Sequence, residues 1–237
     1  MTLSAHSTAL ARIVTVARAG SLTHALALFR AAGFDRACDD PAALAVAGRL
    51  AKDQALRAAP VDRPALLAQA AAAYAAADAL VPQPYTRINQ ATLTWLGGDR
   101  AGGEALARGL LAWLDLGDHP PETAYWLAAT RAEAHLLLGN RAAAEDWLGR
   151  AIAQQPDAWE DQAATLHQLG LILAAQGAEQ GWLDPFRPGR VIHFGGHLGI
   201  GAPDAAALET RVQDLLATHR VIAGHGALAA GADLVIA

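Results

Sequence analysis

Apolar positions recur along most of this chain at steps of three and four, the spacing of one face of an α-helix. The pattern comes in paired stretches. Residues 4–19 and 21–32 form the first pair, divided by Gly20 as a helix stop and Ser21 as an N-cap. Asp40-Pro41 and Asp62-Arg63-Pro64 each put a capping carboxylate ahead of a proline that suits the first helical turn. These signals predict helices over residues 41–59 and 63–80. A helix over residues 85–96 is closed by Gly97-Gly98, and Asp99 caps the next one, which runs to Leu114. Gly102, Gly103 and Gly109 weaken that helix, so it depends on its neighbours. Residues 123–138, 141–154 and 160–176 complete nine helical stretches, with Gly139-Asn140 as a turn.

Three of these stretches carry one spaced triplet. Ala70, Tyr74 and Ala77 are followed by Pro82, and Ala144, Leu148 and Ala151 by Pro156. Ala25, Phe29 and Ala32 repeat the spacing without the proline. Two small residues let a neighbouring helix come close, the large one fills the gap, and proline ends the helix. The triplet resembles the second helix of the tetratricopeptide repeat. The resemblance implies a mainly α protein, a solenoid of about four and a half helical hairpins. Asp99-Arg100-Ala101 and Glu104 match Asn140-Arg141-Ala142 and Glu145 at an offset of 41. That exceeds the usual repeat of roughly 34 residues, so these units are long or irregular.

Beyond residue 177 the period changes. Residues 181–188, with two prolines and the aromatics Trp182 and Phe186 expected to be exposed, read as a boundary. Residues 190–194 (RVIHF) read as a strand, 204–219 as a helix and 220–223 (RVIA) as a second strand. Gly224-His225-Gly226 then reads as a turn into a final helix near Ala227. The division is a helical-repeat domain over 1–180, a linker over 181–189 and a partial βαβα segment, Rossmann-like but incomplete, over 190–237.

Composition narrows the function classes. Hydrophobic residues make up 53%, much of it alanine, and the net charge is -5, so no basic surface advertises nucleic acid. Cys38 is the only cysteine, which excludes an internal disulfide and fits a reducing compartment. No leader pattern opens the chain and no run of about 18 apolar residues spans a membrane. The expectation is a cytoplasmic protein that contacts neither membrane nor nucleic acid. No kinase, nucleophile-elbow or Walker pattern is present, and no paired carboxylates suggest catalysis. His193, His197, His219 and His225 are close in sequence, but no carboxylate or cysteine completes a metal set, so no metal is expected.

Two further resemblances attach to particular residues. Tyr85, Ile88, Asn89 and Ala91, with Tyr125, Trp126, Ala129, Thr130, Glu133 and Ala134, are similar to motifs of the central helical domain of apoptosis signal-regulating kinases. That domain is also called the TRAF-binding domain and has bacterial relatives. The resemblance covers residues 70–177 and implies a scaffold role, with signalling as a context. The strand VIHF with Gly195-Gly196-His197, and Gly224-His225-Gly226 with Gly231-Ala232-Asp233, resemble the start of a SLOG-type domain. That class binds nucleotide-derived ligands.

The candidate site residues follow. Arg87, Asn89, Trp95, Arg131 and Glu133 lie on first helices of hairpins, which line the inside of a solenoid and suit a protein or peptide partner. Gly195, Gly196, His197, Gly224, His225, Gly226 and Asp233 are the candidates for a nucleotide-derived ligand. Their phosphate would rest on the glycine turns at a helix N-terminus. The leading expectation is a non-enzymatic interaction scaffold or adaptor without a resident cofactor. The alternatives are a nucleotide-ligand sensor or enzyme centred on those turns, and a self-assembling structural protein that forms homo-oligomers.

Overall fold

The computed structural model describes residues 3–36, 39–187, 189–195 and 202–226. Its helices are α1 (Leu3–Arg18), α2 (Leu22–Ala31), α3 (Pro41–Arg57), α4 (Arg63–Leu80), α5 (Pro84–Leu96), α6 (Arg100–Leu116), α7 (Ala124–Leu137), α8 (Arg141–Gln154) and α9 (Trp159–Gln176). A 3-10 segment (Gly181–Phe186), β1 (Arg190–Phe194), α10 (Ala202–Thr218) and β2 (Val221–Gly226) follow. The fold is mainly α, a tetratricopeptide-like array with a small parallel two-stranded sheet near its C-terminal end.

Local chemistry sets the helix starts. The Asp40 carboxylate accepts from the backbone N–H of Ala42 at 2.9 Å and Ala43 at 3.4 Å, with Pro41 at the first turn. Asp99 accepts from Gly102 N at 2.9 Å, and the Thr123 hydroxyl accepts from Trp126 N at 3.2 Å. Each cap satisfies donors that the first turn leaves orphaned.

Successive helices pair as hairpins: α1 with α2, α3 with α4, α5 with α6, α7 with α8. The spaced triplets sit between them. Ala25, Ala70, Tyr74, Ala77, Ala144, Leu148 and Ala151 are all buried. In α6 the corresponding positions are Gly103, Ala107 and Leu110, also buried, so the large side chain has moved to the third position. Gly103 is required there: a Cβ would meet Trp95 Cβ at 2.5 Å and the Ala91 carbonyl at 2.8 Å. The hairpins α5/α6 and α7/α8 share one core with α9, while α1/α2 and α3/α4 form adjoining clusters.

The first helices of the hairpins contact one another in series, α1 to α3, α5 to α7 and α7 to α9. The array curls until its ends meet: Arg18 of α1 pairs with Glu160 of α9 at 2.6 Å. Among the described residues, no α-helix follows α9 as its hairpin partner. The segment expected to be an open linker fills that place instead. Trp182 and Leu183 are buried against the helices, and Phe186 packs edge-on to Trp182, so the aromatics expected to be exposed belong to the core.

β1 and β2 pair in parallel, with α10 as the crossover. Their extensive contacts are with each other and with α10. Val191, Leu215 and Ile222 are exposed. One expectation is corrected here. Gly224, His225 and Gly226 are not a turn after the second strand; they are its last three residues, paired with Ile192, His193 and Phe194. Phe194 is the physical reason. Its ring lies 3.5 Å from where a Gly224 Cβ would be, and its carbonyl and ring fill the space of a Gly226 Cβ. Glycine at 226 lets the two backbones and the ring approach closely, whereas at 224 the ring lies at ordinary contact distance.

Candidate functional site

The curl of the first helices encloses a groove of about 510 Å³ on the inner side of the array. Its walls come from α1, α3, α5, α7 and α9. Helical spacing selects the lining. Ala45, Arg49 and Lys52 project from α3, Tyr85 and Asn89 from α5, Trp126, Thr130 and Glu133 from α7, Thr165 and Gln168 from α9. Tyr85, Asn89 and Thr92 stand at the same repeat positions as Trp126, Thr130 and Glu133, at the offset of 41.

A polar network crosses the floor and joins four helices. Lys52 Nζ donates to Asn89 Oδ1 and to Gln168 Oε1, both at 3.4 Å. Gln168 Nε2 donates to Glu133 Oε1 at 2.9 Å, and the Thr92 hydroxyl donates to the same oxygen at 2.5 Å. Asn89 Nδ2 donates to the Tyr85 carbonyl at 2.9 Å, which fixes the direction of its amide. Burial pushes the Lys52 ammonium below its ordinary pKa, while the nearby Glu133 carboxylate pulls the other way. Burial likewise raises the Glu133 carboxyl, opposed by its bonds from Thr92 and Gln168. Both charged forms are therefore held at a cost, which only a paired and hydrogen-bonded setting offsets.

Two aromatic rings stand over this floor. Tyr85 is exposed to the groove and packs edge-on against Tyr74, with the two hydroxyls 3.0 Å apart. Trp126 packs edge-on against Tyr125, whose hydroxyl lies 2.9 Å from Thr165 Oγ1. The site thus combines two cations, a carboxylate, fixed amides and ring faces.

Of the five partner-contact candidates, Asn89 and Glu133 line this groove. The other three do not. Arg87 pairs with Asp78 at 3.0 Å and lies 3.8 Å from the centroid of the Trp113 ring. Trp95 is buried in the core between α5 and α6. Arg131 pairs with Asp115 at 2.6 Å and sits over Trp147. These residues hold hairpins together. Sequence reasoning missed Arg49, Lys52, Tyr85, Trp126, Thr130 and Gln168 as groove residues. The signal was present: steps of three and four from Asn89 and Glu133 reach Tyr85, Thr130 and Trp126 on the same faces.

Among the ligand candidates near the C-terminal end, Gly195 follows β1, and Gly224, His225 and Gly226 lie in β2. Gly224, His225 and Gly226 are therefore paired strand residues and not the turn that was expected to cradle a phosphate. His193 and His225 are register partners with ring centroids 4.8 Å apart. Gly196, His197 and Asp233, and the helix expected near Ala227, lie outside the described residues. Among the described residues, no group of three or more His, Cys, Asp or Glu side chains is placed to hold a metal ion. No described helix is long and apolar enough to cross a membrane.

The fold and its inner groove define the class, a tetratricopeptide-like helical protein. Residues 2–94 match the family model described as Tetratricopeptide Repeats-Sensor, which spans α1 through most of α5. The chain matches no curated protein and no solved structure.

Proposed function

We propose that the helical array is a non-enzymatic recognition module that takes a segment of a protein or peptide partner into its inner groove. One observation carries this reading: Lys52, Asn89, Glu133 and Gln168, from four different helices, converge as one bonded network on the floor of an accessible cavity. A solenoid core needs no such charges, and burying them is costly unless they serve specificity. Tyr85 and Trp126 add rigid ring surface, of the kind that dominates recognition energies. The matched family description links such repeats to sensing, which accords with a module whose occupancy is read by another domain or protein.

The test is selection from a random peptide library on the full chain and on an Ala164→Trp variant. Ala164 is exposed and lines the groove, so tryptophan fills the cavity with little demand on the core. Peptides that bind the parent chain and lose binding to the variant support the reading. Peptides that bind both equally place recognition on another surface.

A further inference from the structure

The small sheet brings two histidines together. β1 and β2 run parallel, and His193 and His225 are register partners. Register partners project from the same face of a sheet. Their ring centroids lie 4.8 Å apart with the planes tilted by 49°, so the rings are neighbours without stacking face to face. Both residues are exposed, and among the described residues neither ring takes part in a hydrogen bond or ion pair. Their ring nitrogens are therefore free to act as ligands. The surroundings keep access open. By the two-residue period of a strand, Val191 and Ala223 flank the pair on this face, whereas Ile192 and Phe194 point to the other, where they are half-buried. Gly195 follows on the histidine side and adds no side chain, with nothing within 4 Å of where its Cβ would be.

We propose that His193 and His225 together bind a divalent late transition-metal ion, of the zinc, nickel and copper class, and that the ion ties β1 to β2. The spacing fits. An imidazole nitrogen holds such an ion at about 2.0–2.1 Å, which puts the metal about 3.2 Å from the ring centroid. Two rings bound at an angle of about 90–110° then have centroids about 4.5–5.2 Å apart. The 4.8 Å between these rings falls inside that range. Imidazole suits zinc, nickel and copper, whereas magnesium and calcium ask for oxygen ligands that this pair does not offer. Two protein ligands leave the other coordination positions to water, on a face open to solvent. The two histidines are far apart in sequence and show no metal-ligand spacing; only the parallel register pairs them. The bound ion adds a cross-strand link to two exposed strands, and an ion that needs both strands in place stabilises them.

The test titrates the metal-free full chain with zinc, nickel and magnesium chlorides by isothermal calorimetry. The parent is compared with His193→Gln, His225→Gln, the double variant and His219→Gln. Zinc and nickel are expected to bind the parent, and magnesium is not. Each single variant at 193 or 225 should weaken zinc roughly tenfold or more, because the second ring of a pair meets the ion at high effective concentration. The double variant should lose little beyond either single one, since one ion needs both rings. His219→Gln removes an exposed histidine next to α10 and should bind as the parent does. Hydrogen exchange supplies a second readout: zinc should slow the amides of β1 and β2 in the parent and not in the single variants. Exchange without metal checks that the variants keep the strands, and where one loosens them, the effect of zinc on the parent decides. Single variants that bind zinc as tightly as the parent overturn the proposal. So does an equal loss in His219→Gln, the mark of general uptake by surface histidines. Zinc binding that leaves β1 and β2 exchanging as before, or no saturable binding of either zinc or nickel, overturns it as well.

Discussion

Replacing Gly103 by alanine tests the close crossing of α5 and α6 in one step. Alanine is the better helix former, and in an open helical site it gains about 0.5–1 kcal/mol over glycine. At Gly103 the added methyl meets Trp95 Cβ at 2.5 Å, Trp95 Cα at 2.9 Å and the Ala91 carbonyl at 2.8 Å. Two of these atoms are α5 backbone, so no side-chain rotation relieves the contact. The helices must move apart, and overpacking of this kind costs about 1–3 kcal/mol. The steric term wins, and Gly103→Ala is expected to lose about 1–2 kcal/mol net. Gly109 supplies the control within the same helix. It is exposed, with nothing within 4 Å of where its Cβ would be. Gly109→Ala is expected to gain about 0.5–1 kcal/mol. Urea unfolding followed by circular dichroism compares the two, and they should differ by roughly 2 kcal/mol in opposite directions. A Gly103→Ala protein as stable as Gly109→Ala would refute the close packing of these helices.

Three other perturbations probe other parts of the molecule. Tyr74 is fully buried between α3 and α4, so Tyr74→Asp should cost more than about 3 kcal/mol and melt that hairpin; an unchanged thermal midpoint would contradict the packing. Burial raises the Glu133 carboxyl above its ordinary 4.5, so the folded state keeps a proton that the unfolded chain has released. Its contribution is full below 4.5 and is lost as pH rises through the raised value. Stability relative to Glu133→Gln should therefore decline with rising pH over that window, and urea titrations showing a relative increase would reverse the assigned sign. Amides of β1, α10 and β2 should exchange faster than those of α4 to α8, because exposed strands with open edges bury little. Equal protection would mean that a further element covers the sheet.

The helical part was legible because its signals are local. Asp40-Pro41, Asp99 and Thr123 act on the turn that follows them, and the nine helices start and stop close to the expected places. The triplet in α6 escaped notice because Gly103, Ala107 and Leu110 reorder the sizes, with the large residue last. The segment after α9 misled for the opposite reason. Pro185 and the flanking glycine suggest an open linker, whereas Trp182 and Leu183 turn inward because the segment packs on α8 and α9, a contact its own residues do not announce. At Gly226 turn chemistry and close strand approach use the same residue type, and there it is the carbonyl and ring of Phe194 that need the missing side chain. Of the partner-contact candidates, Asn89 and Glu133 face the groove, whereas Arg87 and Arg131 point to Asp78 and Asp115 across hairpins. Lys52 and Gln168 are 116 residues apart, and only the curl of the array brings them together.

The central claim is that recognition takes place inside the curl and not on its outer face. Photocrosslinking tests this most directly. Benzoylphenylalanine placed at Trp126, inside the groove, or at Arg108, exposed on the second helix of its hairpin, is irradiated with a peptide selected on the full chain. The account predicts peptide crosslinked at position 126, none at position 108, and loss of the crosslink in the Ala164→Trp background. Crosslinking at position 108 with none at 126 would contradict it.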